Sequence, residues 1–208
     1  DGHGVGLVRL CGLGERWRVG RDTTAGGVVT SGPAMRKTGL WSWLGFNAVW
    51  FAAAAGAANG LNWPAVVACF LYVTALALAR AFEHASVALL AGITLAGVVA
   101  ETVLLAVGVL TYSAQWPLPN IAPLWMGALW VAYASAVETT VPRLRVHPVY
   151  IVATALLAPL AYLAGGRMGA LVVHGPMISS WLAISLVWFV ALTATAMAEF
   201  ASQRRSRQ

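Results

Sequence analysis

Six apolar runs separated by short polar turns decide what this chain can become; they cover about 40–58, 62–80, 85–110, 121–141, 148–164 and 177–198. A helix rises 1.5 Å per residue, so roughly 20 apolar residues cross about 30 Å of hydrocarbon. Each run reaches that span or nearly so. The fifth is the shortest, and the third is long enough to tilt. None shows the apolar–polar alternation of a barrel strand, so strands are not expected. The expectation is an all-α fold, a polytopic integral membrane helical bundle of six transmembrane helices.

Composition points the same way. The 208 residues are 60% hydrophobic and 10% charged, whereas an ordinary soluble domain is about 25% charged. The formal charge of +6 raises the question of nucleic acid. The cations, however, sit in short loops and tails between apolar runs, the arrangement of topology determinants facing anionic lipid. The partner expected is the lipid bilayer, and no nucleic acid is expected. With the N-terminus inside, the inner segments hold Arg36, Lys37, Arg80, Arg143, Arg145, Arg204, Arg205 and Arg207, and the outer segments hold Arg167. That asymmetry gives an N-in/C-in topology in a bacterial inner membrane. Trp63 and Trp116 then fall at the outer face and Trp41 and Trp43 at the inner face, as interfacial aromatics do.

The chain opens on a Gly-, Arg- and Thr-rich stretch without apolar period, and "MRKTGLWSWLGFNAVWF" follows. Residues 1–34 read as a disordered leader upstream of a start at Met35; a cytoplasmic regulatory tail is the alternative. Residues 35–203 form a single six-helix domain, and 204–208 a basic cytoplasmic tail. A cleaved signal peptide is the competing reading of 35–58, with "AAGAAN" as its cleavage site. Trp41, Trp43, Asn47 and Trp50 make it a poor one.

Motifs for familiar chemistry do not appear. Cys11 and Cys69 form no redox pair, and His3, His84, His147 and His174 are isolated from one another and from the acids. There is no metal-ligand spacing, phosphate loop or nucleophile elbow, so no cofactor is assigned. What stands out is "AGVVAETVLLAVGVLTY", an apolar run with Glu101 in its middle. On a helix, Thr94, Gly97, Glu101, Gly108 and Tyr112 share one stripe. A carboxylate facing lipid costs about 2–3 kcal/mol or more, so Glu101 is expected to face the bundle. The run travels outward and places Glu101 in the outer half of the membrane, level with Asn59, Asn62, Tyr112, Tyr162 and Arg167. An ion pair between Glu101 and Arg167 would neutralise both charges. The candidate site is therefore an outer polar pocket with Glu101 as its catalytic group and Arg167, Tyr162, Asn59, Asn62 and Tyr112 around it. Its competitor is a buried ion pair that serves packing only.

The remaining polar residues read as structural. Glu138, followed by Arg143 and Arg145, is an interfacial acid; Glu83 and Glu199 lie by loops; Asn47 bonds between helices. Pro64 and Pro148 sit in first turns, and Pro159 inside the fifth run is expected to kink it. "AGAANG" (55–60) and "AGGRMG" (164–169) share A-G-x-x-x-G, a pattern that offers close helix packing.

"NAVWFAAAAGAANGLNWP", "ETVLLAVGVLTY", "PLWMGALWVAYA" and "PLAYLAGGRMGA" resemble, in that order, the landmarks of the domain-of-unknown-function 2878 family of small bacterial inner-membrane proteins. The resemblance covers about 45–172. It implies a carboxylate at the position of Glu101, where many relatives carry Asp, and it retains Pro159, Tyr162, Gly165, Arg167 and Gly169. Relatives are often encoded near enzymes that modify fatty-acid chains, which makes lipid-modifying enzymes the partners it implies. Three functions follow: action on membrane lipid or fatty acid through the outer pocket, proton- or cation-linked transport through Glu101, or non-catalytic partnership with an enzyme complex.

Overall fold

The computed structural model of the chain describes residues 33–79, 87–146 and 148–205. Residues 1–32 of the leader, Arg80, Glu83, His84, His147 and Arg207 lie outside the described residues, as do the side chains of Arg36, Lys37, Glu138, Arg143, Arg145, Glu199 and Arg205. Residues 33 and 34, expected to be disordered, begin a helix instead.

Six helices form in chain order: α1 (Pro33–Ala58), α2 (Trp63–Leu78), α3 (Val87–Ala106), α4 (Leu124–Val146), α5 (Val149–Met168) and α6 (Met177–Arg205). The helical expectation holds for all six apolar runs. Three stretches are long and apolar enough to cross a membrane, Leu89–Ala106, Val149–Met168 and Met177–Ala198. The apolar parts of α2 and α4 are shorter, Trp63–Leu78 and Leu124–Ala136. The helix surfaces are apolar too: Phe51, Phe70, Leu78, Ile178 and Leu186 are all largely exposed. A surface of that kind is unstable in water and suited to lipid.

The expectation of no strand is corrected. Leu110–Tyr112 (β1) and Leu171–Val173 (β2) pair antiparallel, Thr111 opposite Val172. The third helix thus ends before the run does. Gly108 takes φ +73°, and the Val109 N–H closes on the Leu104 carbonyl at 3.0 Å. That geometry stops a helix and turns the chain. Tyr112 therefore leaves the helical stripe on which the sequence placed it.

The A-G-x-x-x-G pattern keeps its close helix packing at Gly56, where a Cβ would meet Pro64 of α2 at 3.0 Å, and is corrected at the last glycine of each motif. Gly60 and Gly169 both have positive φ, +74° and +88°. Leu61 N–H bonds Gly56 O at 2.9 Å, and Ala170 N–H bonds Gly165 O at 2.9 Å. Both segments are left-handed helix caps. A Cβ at Gly60 would meet nothing within 4 Å, and one at Gly169 only ordinary contact at 3.7 Å. Backbone conformation, not helix packing, is what these two glycines serve.

These caps gather α1, α3 and α5 at one end of the bundle, where α2, α4 and α6 begin. Asn62 holds that end together: its Nδ2 donates to Ala114 O at 2.9 Å, and Trp125 N–H donates to its Oδ1 at 3.2 Å. Ser113 Oγ donates to Gly169 O at 2.6 Å. α4 is the centre of the molecule and packs on every other helix; Trp125, Met126, Leu129, Trp130 and Ala132 on it are buried. Pro159 lies inside α5, which continues through it.

Gly97 is the tightest close approach. A Cβ built there would fall within the Trp130 indole. Gly97→Ala should therefore cost about 1–3 kcal/mol through overpacking. Gly60→Ala, strained only in its backbone, should cost about 1 kcal/mol. Thermal unfolding of the purified proteins in detergent, followed by fluorescence, checks the order; equal midpoints would contradict the packing at Gly97.

Candidate functional site

Glu101 lies in α3 five residues before its end, roughly 8 Å from the β-ribbon end at 1.5 Å per residue. It is 0% exposed. Its position on the inward stripe with Gly97 explains both its burial and its first partner. Gly97, one turn earlier, leaves the slot into which Trp130 of α4 fits. Trp130 Nε1 then donates to Glu101 Oε1 at 3.3 Å. Tyr162 of α5 donates its hydroxyl to the same oxygen at 2.5 Å, and Tyr112 of β1 donates to Oε2 at 2.6 Å. Trp188 of α6 extends the set by donating Nε1 to the Tyr162 hydroxyl at 3.1 Å.

One carboxylate thus joins α3, α4, α5 and β1 directly and α6 through Tyr162. Hydrogen bonds to an ionised acceptor are short and about twice as strong as neutral ones. Their number matters as well, since a buried carboxylate without donors is costly. Tyr112, beyond the end of α3, has its phenol pushed up from the ordinary value by burial first and by the Glu101 charge next. It stays protonated and donates.

The expected Glu101–Arg167 pair does not form. Arg167 lies in the last turn of α5 and is exposed, and among the described residues Glu101 takes its hydrogen bonds from tyrosine and tryptophan. The physical reason is desolvation: neutral donors satisfy the carboxylate without drawing a guanidinium out of its polar surroundings. Asn59 also stands apart. It is exposed and donates to Ala55 O of its own helix at 2.8 Å. Asn62 fastens the loops rather than facing Glu101. Asn47, expected to bridge helices, donates to Trp43 O of its own helix at 2.8 Å. Of the residues grouped from sequence, the structure brings together Glu101, Tyr112 and Tyr162.

Sequence reasoning missed Trp130 and Trp188. Their indoles stack with centroids 5.4 Å apart and 27° between planes, and Tyr133 packs edge-on against both. "PLWMGALWVAYA" carries two of the three residues of this cluster, and a tryptophan in a lipid-bound helix that is not at an end is the signal that could have found them.

Beside the hub lies a cavity of about 360 Å³ between α1, α4 and α5, with Glu101 and Tyr162 in its wall. The rest of the lining is apolar and aromatic, including Phe46, Trp50, Leu129 and Trp188. On its α5 side Thr154, Leu157 and Ala161 are exposed, so the cavity meets the apolar flank of the bundle. Among the described residues no group of His, Cys, Asp and Glu could hold a metal ion. Cys69 is buried and free.

The class defined by these features is a helical bundle with membrane-compatible helices and a carboxylate hub. The family model for proteins of unknown function, DUF2878, matches residues 40–194, and the chain belongs to that family. The match takes in most of α6, beyond the 45–172 that the motifs suggested. No curated protein and no solved structure matches the chain.

The hub makes a graded prediction. Glu101→Ala strands three buried donors, Tyr112→Phe leaves Glu101 Oε2 without its donor, and Tyr162→Phe strands the Trp188 indole while Oε1 keeps Trp130. In lipid such bonds are worth about 0.6–2 kcal/mol each. Glu101→Ala should be most severe, and Tyr112→Phe and Tyr162→Phe each milder than it. The Glu101→Ala/Tyr162→Phe double variant should lose less than the two single losses added together. Unfolding midpoints measured in one detergent decide this; strict additivity would mean that the carboxylate and Tyr162 are not coupled.

Proposed function

We propose that this protein is a six-span bacterial inner-membrane protein that binds the apolar chain of a membrane amphiphile, a lipid or fatty-acyl compound, in the cavity beside Glu101. The observation that carries the reading is the position of that cavity. Its floor is the hydrogen-bonded hub, while its α5 wall is exposed on the apolar flank. A ligand dissolved in the bilayer could enter from the side without crossing water. Pockets that take lipophilic ligands are largely apolar with a few placed polar groups, and this lining has that character.

Binding rather than catalysis is the better reading of Glu101. Its oxygens already accept three hydrogen bonds and it is fully buried, so its first effect is to position Tyr162 and Trp130 at the cavity wall. The same observation weighs against using it as the site of a transported proton or cation. Fatty-acid-modifying enzymes are the partners we propose for the bound compound, and on this reading the chain holds or presents what they act on. Residues 35–203 are the membrane domain and 204–208 an inner basic tail.

A topology with both termini on the same side has its own support, and the cation asymmetry makes that side the inner one. Helix ends alternate, with α1, α3 and α5 finishing at the ribbon end. Trp63 and Trp116 are exposed there, while Trp41 and Trp43 are exposed near the opposite end of α1, as two interfacial belts require. Alkaline phosphatase joined after Arg205 should be inactive and a fluorescent protein joined there bright; the reverse result would place the C-terminus outside.

Mass spectrometry of lipids that co-purify with the protein tests the binding function. A lipid species should be enriched over the bulk membrane and should fall to bulk level in Ala161→Trp, which obstructs the cavity. A bulk-like profile in the wild type would overturn the reading.

A further inference from the structure

The hub leaves one electrostatic question. Three neutral donors surround Glu101, and a hydrogen bond from a neutral group does not cancel the net charge that its ionised form carries. Among the described residues no Lys, Arg or His is bonded to it. A buried anion in a low-dielectric surrounding attracts a counter-charge across several ångströms, without direct contact. The space next to it is the cavity.

The walls of that space have the second relevant property. Trp50 from α1, Trp130 and Tyr133 from α4, Tyr162 from α5 and Trp188 from α6 all line it. Aromatic rings carry negative potential on their faces and attract cations within about 6 Å of the centroid. Such cages suit weakly hydrated organic cations. A hard metal ion needs about six oxygen ligands, and the lining does not offer them.

The free acceptors narrow the class further. Glu101 already accepts three hydrogen bonds, and the Tyr162 hydroxyl accepts from Trp188 while donating to Glu101. A primary ammonium would bring three N–H donors into a site whose acceptors are mostly engaged. An ammonium whose hydrogens are replaced by methyl groups asks for no acceptor.

We infer that the cavity takes an amphiphile with a quaternary ammonium head, seated among Trp50, Trp130, Tyr133, Tyr162 and Trp188 with Glu101 as its counter-charge. The inference rests on the binding function proposed above and adds the identity of the head group. Glu101 acts here as a charge at a distance, and the rings make the contact.

Four probes of one chain length separate the inference from that reading. Hexyltrimethylammonium, hexylammonium, hexanol and hexanoate are titrated into the full-length protein in lipid nanodiscs, with tryptophan fluorescence as the readout. Hexyltrimethylammonium should bind about ten-fold more tightly than hexanol, equivalent to ~1.4 kcal/mol, and more tightly than hexylammonium. Glu101→Gln should bring hexyltrimethylammonium and hexanol to near parity. Should that variant fail to fold, Trp50→Leu serves, because Trp50 makes no hydrogen bond to the hub. It should weaken the trimethylammonium probe by about ten-fold and hexanol by clearly less. Equal binding of the trimethylammonium probe and hexanol by the wild type would overturn the cationic head and leave the apolar site standing. A preference unchanged in both variants would also overturn it. No binding of any of the four would overturn the apolar site itself.

Discussion

The satisfaction of one buried carboxylate organises this molecule. In lipid, a polar group that finds no partner cannot turn to water, so its donors must come from the protein. Glu101 takes them from three different elements: Tyr112 on β1, Trp130 on α4 and Tyr162 on α5. Each donor constrains a feature that looks unrelated at first. Trp130 needs the slot at Gly97. Tyr112 needs α3 to stop at Ala106 and the chain to double back through Gly108 into the ribbon. Tyr162 needs α5 to run on past Pro159 and close with its left-handed cap at Gly169. The glycines, the ribbon and the central tryptophan are conditions for one hydrogen-bonded carboxyl group.

That constraint also explains the ribbon, the least expected element of an otherwise helical chain. A strand pair as short as β1–β2 contributes little by itself. Here it fixes the positions of two chain reversals relative to each other, with Tyr112 opposite Leu171. Leu171 is buried and lines the cavity. The pairing therefore serves both sides of the site: one strand brings the phenol to Glu101, and the other supplies part of the wall. Ser113 and Gly169, hydrogen-bonded at 2.6 Å, extend the junction to the α5 cap.

The helices were legible because their signal is long and redundant. An apolar run of about 20 residues leaves few alternatives, and every run became a helix. The inward face of Glu101 was legible for the same reason, since lipid penalises the opposite face. Tyr112 and Tyr162 were grouped with it by depth, which helix length supplies. Arg167 failed because depth is not direction: it lies near the right level but faces out from the last turn of α5. Asn59 failed because a residue at a helix end can bond its own backbone. Tyr112 reached the site by a route that periodicity could not show, since a 3.6-residue repeat carried through Gly108 takes no account of the turn there. The A-G-x-x-x-G pairs were read only in part: Gly56 does admit Pro64 of α2, but Gly60 and Gly169 serve left-handed caps, and φ, which separates the two roles, is not written in the spacing. Trp130 and Trp188 come from different helices, so their stacking depends on how α4 meets α6.

A final consequence concerns why a carboxyl group is kept at all. An apolar residue at position 101 would remove the burden of desolvation, and buried polar groups are often replaceable by well-packed apolar ones. Such a replacement at 101 would leave the Tyr112 hydroxyl and the Trp130 indole unpaired and the Tyr162 O–H without an acceptor, and each of these would have to change too. Tyr162 could not change alone, because Trp188 donates to it. The hub is thus a set that can be exchanged only together, which makes each of its members resistant to substitution whatever its direct role. The aromatic wall of the cavity is part of that set. Tyr162, Trp130 and Trp188 line the cavity and belong to the carboxylate network at once, so packing and the shape of the cavity are constrained by the same atoms.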